Sequence, residues 1–212
     1  MGVPFPSREV IILFATPGEL KKGLDVNIVG LNRGTHMVVD PNKARQGDTN
    51  RIINHEVAHY YWGSTNAPLW FREGGADFLS TYVRDKLYGD SIQDRRTYDL
   101  EAPLRYCDGM AMTTIQKLID QLAIDGFSAH QNSPYFTCNY SKGEDFFIRL
   151  YQTLGPDSFG SAWKELYQLA TQAGRPITET EIYAAFLRHT PEDTRTEFNR
   201  QYRSLHGGDF SG

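Results

Sequence analysis

The chain has 212 residues, 22 Lys and Arg against 26 Asp and Glu for a formal charge of −4, and 40% hydrophobic and 13% aromatic residues. A chain of this length buries about 70% of its unfolded surface, so it can build a core without metal or disulfide staples. The acidic balance excludes a nucleic-acid footprint, and no apolar run approaches the ~18–20 residues that cross a bilayer.

The first elements are β-rich. Glu9 to Ala15 carries a branched apolar strand signal, Val26 to Val29 a weaker one and Thr35 to Val39 a third, with Gly30, Gly34, Asp40-Pro41-Asn42 and Gly47-Asp48 as turns between them. From Thr49 the period changes. A helix is predicted to about Trp62, with Ile52, Ile53, Val57 and Tyr60 or Tyr61 on one face, and a second over Phe71 to Leu87. Residues 89–112 are mixed. Helical patterns return at Thr113–Ile124, Gly143–Leu154, Ser158–Ala173, Thr178–His189 and Glu192–Leu205, separated by Gly and Pro breakers.

Strands first and helices afterwards spell an α+β fold rather than alternating βαβ units. The expected organisation is one domain over residues 1–212, with an α+β lobe at 1–125 and a mainly helical lobe at 126–212. The opening Met1-Gly2-Val3-Pro4 enters a strand almost at once, which fits a piece of a longer protein. The two cysteines, Cys107 and Cys138, leave two readings open: a bridge in an extracytoplasmic protein, or two buried free thiols.

His55-Glu56-Val57-Ala58-His59 is the informative segment. Two histidines at i and i+4 lie about 40° apart around a helix and about 6 Å along it, so both imidazoles can reach one metal ion. Glu56 sits on the adjacent flank, where a carboxylate can take a proton from activated water. A catalytic zinc usually has three protein ligands. None of His36, His130, His189 and His206 has the spacing of the extended three-histidine motif. Instead Trp70-Phe71-Arg72-Glu73-Gly74-Gly75-Ala76-Asp77 opens the next helix and offers Glu73 as the third ligand. Gly74, Gly75 and Ala76 remove bulk beside it, which would let this helix approach the first. Asp77, one turn on, can accept from the remote nitrogen of a ligand histidine.

The two segments together resemble the gluzincin metallopeptidases, which include the thermolysin, aminopeptidase N and clostridial collagenase families. Tyr135-Phe-Thr-Cys-Asn-Tyr140-Ser-Lys-Gly143 is similar to the Tyr-x-Lys-Gly stretch that opens a helix in aminopeptidase N-like enzymes, whose catalytic tyrosine falls at Tyr140. The resemblance spans residues 50–160 in three ordered motifs. It implies a thermolysin-like catalytic domain with a small β-sheet lobe packed on a zinc-binding helix pair. It also implies Zn2+ held by His55, His59 and Glu73, Glu56 as general base, Tyr140 as oxyanion donor, and a peptide or protein substrate.

The interval from His59 to Glu73 is shorter than in thermolysin or aminopeptidase N, as in the compact peptidase MA-like domains. The Gly-Ala-Met-Glu-Asn stretch that captures a substrate amine in aminopeptidase N is absent; the corresponding place reads Gly30 to Val39. Thr35 to Val39 is either a substrate-aligning edge strand or an ordinary sheet strand. Tyr60, Tyr61, Trp62 and Trp70 are expected in the core. Asn139-Tyr140-Ser141 matches a glycosylation acceptor but overlaps the catalytic tyrosine, and is discounted. A non-peptidase or inactive metal-binding use of the scaffold is the alternative, disfavoured by the presence of all five catalytic parts.

Overall fold

The computed structural model describes residues 3–16, 18–19, 30–41, 49–62, 67–124 and 133–207. The strand expected at Val26–Val29, the turn at Gly47-Asp48 and His130 lie outside them. Three short strands, β1 (Ile12–Phe14), β2 (Gly30–Asn32) and β3 (Met37–Val39), precede a long helical stretch, so the fold is α+β with a small sheet near the N-terminus and a helical remainder. The sheet order is β1-β3-β2, with β1 parallel and β2 antiparallel to β3.

That order corrects the edge-strand reading. The strand drawn from Thr35 to Val39 is central, hydrogen-bonded on both sides. The neighbour on the motif side is β2, placed where Gly30 reads as a turn. Nothing in Gly30-Leu31-Asn32 alternates in polarity; pairing with Met37 to Val39 makes it a strand.

The main helices among the described residues are α1 (Thr49–Ala58), α2 (Leu69–Tyr88), α3 (Glu101–Tyr106), α4 (Met112–Ile124), α5 (Pro134–Ala173), α6 (Glu179–His189) and α7 (Arg195–His206). The mixed region resolves into a turn at Ile92–Asp94, a π-helical turn at Arg95–Asp99 and α3. The α5 stretch is two helices joined at a kink: Gly155 takes φ 74° and ψ 167°, and Pro156 follows. Only glycine adopts that backbone without strain. Its first half begins at Pro134, not at Gly143, because the Ser133 hydroxyl caps the Tyr135 N–H at 3.2 Å and proline occupies the first turn. Tyr140 therefore lies well inside a helix rather than before one.

Two apolar clusters organise the described residues. Met37 and Val39 pack with Ile12, Ile52, Ile53, Val57 and Tyr60, fixing the sheet on α1. The larger cluster runs from Ala58 to Leu205 and takes in Phe71, Phe78, Phe147, Trp163 and Phe186, so residues on both sides of position 125 share it. Trp62 and Trp70 are buried in this second cluster, and Tyr61 packs on its margin, as aromatics of that pattern should. Cys107 and Cys138 are joined by a disulfide with Cα atoms 5.9 Å apart, which settles the open choice between bridge and free thiols.

The glycines of α2 serve a different contact from the expected one. A Cβ on Gly74 would fall 2.4 Å from Gly143 Cα, and one on Gly143 2.6 Å from the Trp70 carbonyl oxygen. The bare backbones of α2 and α5 touch there. Gly75 faces Trp163, 3.1 Å from where its Cβ would sit. The close approach is to the tyrosine helix, on the flank of α2 that is turned to α5 rather than to α1.

Candidate metal centre

Helices α1, α2 and α5 bring the site together. His55, on α1, and His59, in the turn that directly follows its last residue Ala58, point their Nε2 atoms at each other at 3.0 Å. Glu73 Oε2 from α2 closes the triangle at 3.4 Å from His55 Nε2 and 3.3 Å from His59 Nε2. The remote nitrogens are both occupied: His55 Nδ1 lies 2.9 Å from Asp77 Oδ1, and His59 Nδ1 lies 3.1 Å from the Trp62 carbonyl oxygen.

These contacts decide the tautomers and thereby the donor set. Asp77 and the Trp62 carbonyl can only accept, so each Nδ1 carries the proton and each Nε2 presents a lone pair. Two lone pairs and one carboxylate oxygen then converge on one point, an arrangement that repels itself until a cation enters. His55, His59 and Glu73 thus fit a metal ion, and they are the group of metal-binding residue types that converges among the described residues. Without a cation, a proton is the substitute. Burial opposes charging His55, but the hydrogen bond and charge of Asp77, then those of Glu73, raise its pKa well above the ordinary value. Glu73 is correspondingly lowered: burial opposes its charge, and hydrogen bonds from His55 and His59 overcome that.

Glu56 lies beside this triangle, buried at 5% exposure. Burial raises its pKa, partly opposed by the two histidines and by a hydrogen bond from the Asn32 backbone. Strand β2 forms the wall here. The Asn32 amide side chain donates to the Glu56 carbonyl at 2.6 Å, and a Cβ on Gly30 would sit 2.6 Å from Glu56 Oε1, so only glycine leaves room for that carboxylate.

Tyr140 approaches from α5. Its ring stacks on His55 at 5.9 Å and 19°; burial and the nearby carboxylates, Glu73 foremost, raise its pKa well above the ordinary value. The neighbouring residues of its motif explain themselves. Gly143 makes the backbone contact described above, and Lys142 Nζ donates to the carbonyls of Cys107, at 3.3 Å, and Met110. With the Cys107–Cys138 bridge, that pins α5 on both sides of Tyr140 to the end of α3. Tyr135 instead faces Tyr106, with ring centroids 6.2 Å apart.

The structure therefore gathers His55, Glu56, His59, Glu73, Asp77 and Tyr140 in one place. It adds groups no sequence pattern singled out. Arg51 reaches Asp77, Glu144 is wholly buried behind it, and the Trp62 carbonyl orients His59. The remaining histidines among the described residues lie elsewhere: His36 is beside Thr35, His189 pairs with Glu165, and His206 ends α7. Asn139 is fully buried, so its glycosylation signal is sealed inside the fold.

Residues 22–196 match the family model of the peptidase family M1 domain. The chain belongs to peptidase family M1. No curated protein and no solved structure was found that matches it. Membership makes this M1 chain a peptidase of the gluzincin type, related to the aminopeptidase N-like enzymes, and a peptidase implies a peptide substrate. M1 peptidases are typically zinc-dependent, in keeping with the donor set found here. No described helix of this M1 chain is long and apolar enough to cross a membrane.

Proposed function

We propose that this chain is a zinc-dependent peptidase, with His55, His59 and Glu73 as the metal ligands, Glu56 as general base and Tyr140 as oxyanion donor. The observation that carries the reading is the convergence of two Nε2 lone pairs and one carboxylate oxygen, with both Nδ1 atoms tied to acceptors. Bound there, zinc supplies Lewis acidity, activating water and polarising the scissile carbonyl. Asp77 holds His55 in the ligating tautomer.

The chain's own residues supply the rest. Glu56, buried and raised in pKa, takes the proton from the attacking water and returns it to the leaving amine. The Tyr140 hydroxyl, close to the Glu73 carboxylate, turns to the oxyanion as it forms on the carbonyl. β2, which runs beside Glu56 and is paired to β3 on one side, aligns an extended peptide by main-chain hydrogen bonds. The disulfide supports an extracytoplasmic setting, since such bridges persist in oxidising compartments.

The test combines metal analysis with one substitution. Purified protein is expected to hold about one zinc per chain. Glu56→Gln is expected to keep that zinc and lose about 10²-fold or more in hydrolysis of any peptide the native chain cleaves, because the amide is nearly isosteric but accepts no proton. A metal-free native protein, or an unchanged rate in the Gln variant, sinks the reading.

A further inference from the structure

Arg51 stands one turn before His55 on α1, and Glu144 one turn after Tyr140 on α5, so each shares a helix face with its partner. The two faces meet in two rungs. In the first, the Tyr140 ring lies on the His55 ring at 5.9 Å. In the second, Arg51 Nη2 lies 3.0 Å from Glu144 Oε2 and also 3.4 Å from Asp77 Oδ1. One guanidinium thus touches both the carboxylate that orients His55 and the helix that carries Tyr140.

Glu144 is itself held rigidly. Thr81 donates to Oε1 at 2.6 Å, Arg95 Nε to Oε1 at 3.0 Å and Arg95 Nη2 to Oε2 at 2.9 Å. The carboxylate is wholly buried, so it has no water to exchange these donors for. Asp77 and Glu144 face Arg51 and Arg95, and Arg95 also pairs with Asp99 on the exposed side. Burying such a set adds little stability, because desolvation offsets most of the Coulombic gain, and apolar residues would often serve as well. What the set does supply is fixed geometry at two distances: Asp77 to His55, and α5 to α1.

We propose that Arg51 and Glu144 are positioning residues, a buried ion pair that sets the register of the tyrosine helix against the histidine helix and holds Asp77 on His55. This rests on the zinc reading above. Arg51 meets the same Asp77 oxygen, Oδ1, that His55 does, and Glu144, clamped by Arg95 and Thr81, keeps Arg51 from swinging away. Neither residue touches the reacting atoms; both act through His55 and Tyr140.

The test uses the full chain in metal-free, zinc-loaded and cobalt-loaded forms, with Arg51→Met as the main variant. That change leaves Glu144 paired with Arg95 and Thr81 and Asp77 hydrogen-bonded to His55, while Asp77 loses its contact with a guanidinium. The expected result is a native near-ultraviolet circular dichroism spectrum of the metal-free variant. Zinc affinity, read by chelator competition, should be about tenfold weaker, the size typical of lost outer partners of metal ligands. The visible spectrum of bound Co2+ should change, and kcat should fall about tenfold with KM within about twofold.

Arg51→Lys, which keeps the charge but replaces the planar guanidinium by a more strongly hydrated ammonium with a shorter reach, is expected to show the same changes at smaller amplitude. A folded Arg51→Met protein with native zinc affinity, cobalt spectrum and kcat overturns the proposal alone. Native values in Arg51→Lys do so if the methionine variant fails to fold. A native chain that binds neither zinc nor cobalt overturns the zinc reading and this one with it.

Discussion

Tyr140 faces the ligand set twice, by its ring on His55 and by a hydroxyl close to the Glu73 carboxylate. Tyr140→Phe preserves the first contact and deletes the second. Because an oxyanion donor acts chiefly in the transition state, turnover is expected to fall about 10²-fold or more while KM and zinc content stay near native values. Steady-state kinetics and metal analysis on the same preparation check this, and undiminished turnover would remove Tyr140 from the chemistry.

The residues that were legible in the sequence are those whose function demands local spacing. His55, Glu56 and His59 fall within five consecutive residues at the end of α1 and the turn after it, and Asp77 follows Glu73 by one turn. Arg51, Arg95 and Glu144 have no such signature. They come from three segments, and ordinary charged residues on amphipathic helices look the same until the fold places them face to face. The same holds for the Trp62 carbonyl, which any residue type could have offered.

At the scale of elements, the contact between Gly74 and Gly143 sets how closely α2 and α5 lie, and so how near Tyr140 comes to Glu73. Gly143→Ala gains helix propensity of about 1 kcal/mol but drives a methyl group to 2.6 Å from the Trp70 carbonyl oxygen. Backbone cannot yield as a side-chain tip can. Overpacking of this kind costs about 1–3 kcal/mol or more, so a net loss is expected in denaturant unfolding, accompanied by a fall in peptidase rate as α5 is pushed outward. A variant as stable and as active as the native chain would show that the helices can separate freely.

Long helices were readable because their apolar period repeats, whereas β2 was not. Its Gly-Leu-Asn sequence gains strand character only from a partner and from the space beside Glu56. The true start of α5 was readable in Ser133-Pro134, a cap followed by a first-turn proline. The breaker-like Gly143, inside the helix for a packing reason, drew the boundary too late.

Across the whole molecule, the C-terminal helix is docked onto the helix that carries Glu73. His206 packs against Tyr202, with ring centroids 4.8 Å apart, and edge-on against Trp70 at 5.7 Å, and the Trp70 indole donates to Glu179 Oε1 at 2.6 Å. Burial lowers the His206 pKa to about 4. An unfolded histidine binds its proton near pH 6.5, so acid favours the unfolded chain. This histidine's contribution is fully present above about pH 6.5, is lost progressively as pH falls toward about 4, and amounts to at most about 3 kcal/mol. Thermal midpoints measured across that range should fall more steeply for the native chain than for His206→Phe. Parallel slopes would mean that His206 titrates alike in both states.

The buried Asn139 carries a consequence for how the protein is made. Its side chain is fully enclosed and donates to the Phe136 carbonyl at 3.3 Å, yet Asn139-Tyr140-Ser141 is a valid acceptor for an oligosaccharide as long as the chain is open. In a secretory host the transferase and the folding reaction compete for the same asparagine. A chain that folds first is closed to the enzyme, and a chain that is modified first carries a sugar that the fold has no room for. The share of product bearing that sugar then becomes a clock for how quickly α5 is packed into place.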